Sequence, residues 1–166
     1  MKEIRLYDYQ AEMKERIDTA FRSYQSVMVQ MPTGTGKTVL LSEVVKSEER
    51  RVKNPCVWIV VHRRELVEQI KETLETMMNS SSTPDTTSWN SSFVFSPWHN
   101  SSKLGSAHLA YRKRSLLSDN SRIKVMSIQW LSRHYQDMTE KPSLIVIDEA
   151  HHAVAKTYKE VMDAFP

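Results

Sequence analysis

Two short stretches of this chain carry residue types that could do phosphate chemistry. The first is Pro32-Thr33-Gly34-Thr35-Gly36-Lys37-Thr38, which ends a short alternating apolar run, Val27, Val29 and Met31, expected to be a strand, and precedes a helical pattern through Leu40, Leu41, Val44 and Val45. The chain has only 3 glycines, and two of them fall in this loop. Glycine lets backbone N–H groups turn inward and approach phosphate oxygens with no Cβ in the way. Lys37 then offers a positive charge to the β and γ phosphates, and the Thr38 hydroxyl can hold Mg²⁺. The second stretch is Asp148-Glu149-Ala150-His151, directly after the apolar run Leu144–Ile147. A carboxylate at the carboxyl end of a parallel strand sits where such sheets bind ligands. There Asp148 can hold Mg²⁺, commonly through water, and Glu149 can orient and deprotonate an attacking water. An acidic strand end that merely caps the next helix is the plainer alternative.

The elements that must hold these stretches alternate in period. A helix is expected from about Asp8 to Tyr24, with Met13, Ile17, Ala20 and Phe21 on one face. Cys56–Val61 is apolar on both faces, as a buried parallel strand would be. A helix from about Arg63 to Met78 should turn Leu66, Val67, Ile70 and Leu74 inward. Ile123–Ser127 reads as a strand followed by a helix through Trp130 and Leu131, and Leu144–Ile147 as a third strand. Strands alternating with helices predict an α/β domain with a mainly parallel sheet flanked by helices. Residues 79–102 break the rhythm: 9 Ser and 3 Asn among 24 residues read as mobile loop, with a short strand at Phe93-Val94-Phe95. Trp58 and Trp130 are expected in the core, while Trp89 and Trp98 lie in that loop.

Composition sets the outer bounds. The chain has 166 residues, enough for one domain with a full core, and is 40% hydrophobic and 26% charged, an ordinary globular balance. A single cysteine, Cys56, excludes a disulfide framework and a Cys-rich zinc site. The longest apolar run, Cys56–Val61, is too short to span a bilayer, and the charged start lacks a secretory pattern; a cytoplasmic location with no membrane contact is expected. Net charge is +3, but the stretch from Lys103 to Lys124, with Arg112, Lys113, Arg114 and Arg122 against the single acid Asp119, is locally basic. It could attract phosphate or be a solvated face.

Taken together, these residues resemble superfamily 2 helicases and translocases, in particular the DEAH-containing branch that includes restriction-enzyme motor subunits. Met31–Thr38 resembles motif I, whose first position in this branch is commonly not glycine, and Asp148–His151 resembles motif II. The resemblance implies a RecA-like P-loop NTPase domain spanning 1–166, with ATP and Mg²⁺ as ligands. It carries ATP binding onto Thr33, Gly34, Thr35, Gly36, Lys37 and Thr38, catalysis onto Lys37, Asp148 and Glu149, and metal binding onto Thr38 and Asp148. His151 becomes the residue coupling the nucleotide to a nucleic-acid site. Leu6-Tyr7-Asp8-Tyr9-Gln10 resembles the adenine-recognition segment, so Gln10 would read the base edge; Tyr7 stands where the family often has arginine. His62-Arg63-Arg64-Glu65-Leu66 resembles motif Ia, with Arg63 or Arg64 on a nucleic-acid phosphate, although Arg63 could equally decorate a solvated helix. Met126-Ser127-Ile128-Gln129 resembles a later segment in which Ser127 would bond a phosphate.

The expected partners are therefore nucleic acid, leaning toward DNA over RNA, and a second RecA-like domain of a longer chain. That second domain supplies the arginines of the nucleotide site, so the fragment alone should turn over ATP poorly or not at all. Two other readings compete: a nucleotide-gated nucleic-acid clamp that does not translocate, and a small-molecule kinase.

Overall fold

A computed structural model of the chain describes residues 6–63, 65–79, 93–95, 122–153 and 155–165. Its elements in chain order are α1 (Asp8–Ala20), α2 (Lys37–Arg51), β1 (Val57–Val61), α3 (Glu65–Asn79), β2 (Phe93–Phe95), β3 (Ile123–Ser127), α4 (Ile128–His134), β4 (Leu144–Ile147) and α5 (Lys156–Ala164). Short 3₁₀ turns follow α4 at Tyr135–Asp137 and β4 at Ala150–His152.

The strands form one parallel sheet in the order β2-β3-β1-β4. β1 lies between β3 and β4, with Ile59 opposite both Val125 and Val146. Alternation along the strands distributes their side chains to two faces. Val57, Ile59, Val61, Ile123 and Val125 pack with Val45 of α2 and Val67, Ile70 and Leu74 of α3. Trp58, Val60 and Met126 pack on the other face with Trp130 and Leu131 of α4 and Tyr158 and Val161 of α5. The α/β architecture expected from the sequence is thus present, with helices covering both faces of a parallel sheet.

Three expectations are corrected. First, the run from Val27 to Met31 joins no strand ladder among the described residues and has no regular secondary structure, with Met28 77% exposed. Alternation alone does not make a strand, because a strand also needs a hydrogen-bonded neighbour and a covered face, and this run has neither among the described residues. β4, whose free edge has no described partner, is correspondingly only half-buried along its length. Second, α1 ends at Ala20 rather than near Tyr24, leaving Phe21 exposed on the turn that follows. Third, Lys124 belongs to no basic surface. It is fully buried on β3, on the face of Met126, and its Nζ donates to Glu140 Oε2 at 2.9 Å. Most of the basic stretch, and Trp89 and Trp98, lie outside the described residues, as does most of the Ser/Asn-rich segment. Phe93–Phe95 is described and does form a strand.

Candidate nucleotide site

The glycine loop runs into α2 without a side-chain cap. Gly36 is the N-cap residue, with φ 74° and ψ 40°, and Gly34 has φ 78°. Both angles lie in the left-handed region that a side chain disfavours. The loop is braced from within and from outside. Thr35 Oγ1 donates to the Pro32 carbonyl at 2.6 Å. The Thr35 carbonyl in turn accepts from Gln10 Nε2 at 3.0 Å and from the Tyr9 hydroxyl at 3.1 Å. The Gln10 amide is also held at its other end, since Oε1 accepts from the Tyr7 backbone N–H at 3.0 Å. At 2% exposure, Gln10 is a buried strut between the start of α1 and the loop. Beside it Tyr7 and Tyr9 stack, with centroids 5.8 Å apart and planes 7° from parallel.

This cradle fits an anion. A Cβ on Gly34 would have nothing within 4 Å, so the loop backbone is open to approach on that side. The first N–H groups of α2 have no side-chain acceptor at the cap, and such groups favour phosphate. Lys37 is exposed and has no ion pair among the described residues. The half-buried Thr38 makes no side-chain hydrogen bond to a described residue.

The acidic pair stands just past the carboxyl end of β4. Asp148 is half-buried, and its backbone N–H donates to the Val60 carbonyl at 2.9 Å, so the residue continues the β1–β4 ladder for one more bond. Glu149 leaves the strand with φ 54° and ψ 53°, the one left-handed non-glycine residue among those described. Such a conformation costs on the order of 1–2 kcal/mol and turns the chain sharply. His151 is exposed, with Nε2 3.7 Å from Glu149 Oε2. Among the described residues no three His, Cys, Asp or Glu side chains cluster as a metal cage. That suits Mg²⁺, which is held by one or two carboxylates with water and phosphate oxygens rather than by a protein cage. Asp148 and the Thr38 hydroxyl are oxygen donors of the right kind.

Two further strand ends share the same edge of the parallel sheet. After β1 come His62 and the exposed Arg63; Arg64 lies outside the described residues. After β3 comes Ser127, fully buried, whose Oγ accepts from the Trp130 backbone N–H at 3.3 Å and caps α4. Ser127 is therefore committed to helix capping here and is not presented at the surface. The sequence did not single out Gln129, whose Nε2 donates to the His62 carbonyl at 2.9 Å and ties the two strand ends together. Nor did it single out Tyr158, whose buried hydroxyl is described below. Gln129 closes the segment Met126–Gln129, but the resemblance gave a role to Ser127 alone, and a tyrosine on an amphipathic helix carries no motif.

A phosphate cradle at a helix start and an acidic pair at a parallel strand end define a nucleotide-binding domain of the RecA-like kind. The chain matches the family of the type III restriction enzyme res subunit over residues 3–166 and belongs to that family, as a first RecA-like domain of superfamily 2. It is 31% identical over 171 residues to IRC3, an ATP-dependent helicase by name, from Saccharomyces cerevisiae. That match covers 96% of this chain and 21% of the relative. A 51.5 kDa protein of a Lactococcus phage (isolate 7-9) is 28% identical over 138 residues, covering 83% of this chain and 21% of that protein. The chain thus spans about a fifth of the length of these curated relatives.

Among solved structures, the UvsW helicase of bacteriophage T4 superposes with a TM-score of 0.65 at 13% identity, over 98% of this chain and 49% of that one. A nuclease-deletion mutant of the Type ISP restriction-modification enzyme LlaGI, solved with a DNA substrate mimic, superposes with a TM-score of 0.59 at 16% identity. It covers 95% of this chain and 16% of that one. At these identities the likeness is one of fold. Among the described residues no helix is long and apolar enough to cross a membrane.

Proposed function

We propose that residues 1–166 form the ATP-binding motor domain of a nucleic-acid-dependent ATPase, a helicase or translocase of the DEAH-containing branch acting on DNA. The observation that carries this reading is the uncapped start of α2, where Gly34 and Gly36 hold left-handed turns and Lys37 has no ion pair among the described residues. The backbone N–H groups there take the phosphates, and Lys37 neutralises the charge at the β and γ positions. Thr38 and Asp148 hold Mg²⁺, which when bound neutralises phosphate charge. Glu149 accepts the proton of the attacking water. Gln10 keeps the loop in shape through the Thr35 carbonyl, and the second N–H of its amide and the second lone pair of its carbonyl oxygen read the adenine edge.

The remaining assignments follow the same reading. His151, beside Glu149, relays the nucleotide state toward the nucleic acid, which is held on the backbone by Arg63, Arg64 and the strand-end turns. Ser127 can donate its hydroxyl while it caps α4, but it is fully buried, so it reaches a phosphate only if the surface over it opens and is the weakest member of the set. A second RecA-like domain of the longer protein supplies the arginines that complete the site. The clamp reading, binding without translocation, has no observation of its own in its favour.

Lys37→Ala should abolish nucleotide binding, measured by titrating a fluorescent ATP analogue into the chain. In the full-length protein Glu149→Gln should bind ATP and fail to hydrolyse it. Equal nucleotide affinity in Lys37→Ala and the parent would remove the glycine loop from the mechanism.

A further inference from the structure

Beneath the acidic turn lies a polar group that the account so far leaves idle. Tyr158, on the first turn of α5, is 2% exposed, and its hydroxyl is buried with no hydrogen-bond partner among the described residues. Burying a hydroxyl unpaired costs about 1–3 kcal/mol, and a phenylalanine would fill the same apolar space without that cost. The ring belongs to the cluster of Trp58, Val60 and Met126, against which Ile147 also packs. Ile147 is the residue before Asp148, and Val60 accepts the Asp148 backbone N–H at 2.9 Å. Tyr158 thus belongs to the same apolar cluster as the residues that carry the acidic turn. Its electrostatics agree: burial pushes the Tyr158 pKa up, and the negative charges of Asp148 and Glu149 push it further.

We propose that Tyr158 is a positioning residue for the acidic pair, its buried O–H donating to the carboxylates of the Asp148–Glu149 turn as the nucleotide site closes. The proposal rests on the ATPase reading above. Two adjacent carboxylates repel, and Glu149 already sits in a strained backbone conformation. A fixed donor behind the pair offsets that repulsion and narrows the orientations open to the carboxylate that takes the water's proton. Hydrogen bonds of this kind are often unmade in the free protein and tighten in the complex. Helix α5 is well suited to supply the donor, because α4 and the second apolar cluster hold it against the sheet.

The test is Tyr158→Phe in the full-length protein, read as steady-state hydrolysis of Mg²⁺-ATP beside the parent and Glu149→Gln, with thermal unfolding of each. The melting temperature should be no lower than the parent's, since the hydroxyl has no bond to lose. The kcat should fall about 10- to 100-fold, the usual effect of removing an outer-shell partner of a metal site, with KM for ATP unchanged because the glycine loop is untouched. A kcat within twofold of the parent's, or a fall in kcat that tracks a fall in melting temperature, would overturn the proposal and leave Tyr158 as core packing. If Tyr158→Phe alone matches an active parent, only the Tyr158 role fails. If Glu149→Gln also hydrolyses as fast as an active parent, the acidic pair is not the catalytic pair and this role falls with it, whereas a parent that does not hydrolyse ATP removes the ATPase reading itself.

Discussion

Gly36 answers two demands at once, and each can be measured. Its φ of 74° is costly for any side chain, and a Cβ there would lie 2.5 Å from Gln10 Nε2. Gly34 shares the left-handed conformation but has open space around it. Alanine at either position should cost on the order of 1–2 kcal/mol in backbone strain. Gly36→Ala should cost more, because Gln10 must also leave the Thr35 carbonyl. Urea unfolding of the two variants checks the order, and adding Gln10→Ala should shrink the difference between them. The residue scale is also where the sequence spoke most clearly and stopped most sharply. Lys37, Thr38, Asp148 and Glu149 stand out as candidates because phosphate chemistry restricts residue types at fixed spacing. The Gln10–Thr35 bond, the capping role of Ser127 and the orphaned Tyr158 hydroxyl were not, because they depend on which atoms meet across the fold.

At the scale of elements, β3 shows how far an apolar pattern can be read. Ile123-Lys124-Val125-Met126 alternates as a half-solvated strand would, and Lys124 then belongs outside. It is instead covered by the second layer of helices and neutralised by Glu140, whose Oε2 also accepts from the Cys56 thiol at 3.7 Å. Burial pushes the Cys56 thiol up, so it is not poised as a nucleophile. Removing one partner of a buried pair strands the other, at about 3–5 kcal/mol. Glu140→Ala should therefore lower stability by roughly that amount in denaturant unfolding, and Glu140→Ala combined with Lys124→Met should recover most of it.

A second element-scale prediction concerns the end of α2. Burial lifts the Glu49 carboxyl from 4.5 to about 7, against the opposing pull of Arg122, Lys46 and Arg50. The folded chain therefore holds a proton there that the unfolded chain releases at lower pH. Stability from this group is lost as pH rises through that window. Glu49→Gln has no such loss, so its melting temperature should gain on the parent's between about pH 5 and about pH 8. A constant difference across that range would mean that Glu49 titrates normally.

For the whole molecule, the sequence conveyed the layered α/β plan because β1, β3 and β4 are apolar runs of strand length and α3 has a clean inward face at Leu66, Val67, Ile70 and Leu74. It misjudged the approach to the glycine loop, where alternation predicted a strand and the chain joins no ladder among the described residues. A ladder is a property of two segments, and single-segment periodicity cannot supply the second. The same limit applies to function. The chain spans about a fifth of the length of its curated relatives, and the track and the closing domain belong to the proposal.

The central claim is that this domain couples ATP turnover to a nucleic-acid track. Its most direct test is ATP hydrolysis by the full-length protein with no polymer, single-stranded DNA, duplex DNA and RNA in parallel, each repeated with Lys37→Ala. The account predicts strong stimulation of the parent by a DNA form and no turnover by the variant. Turnover indifferent to every polymer, or surviving Lys37→Ala, would contradict it.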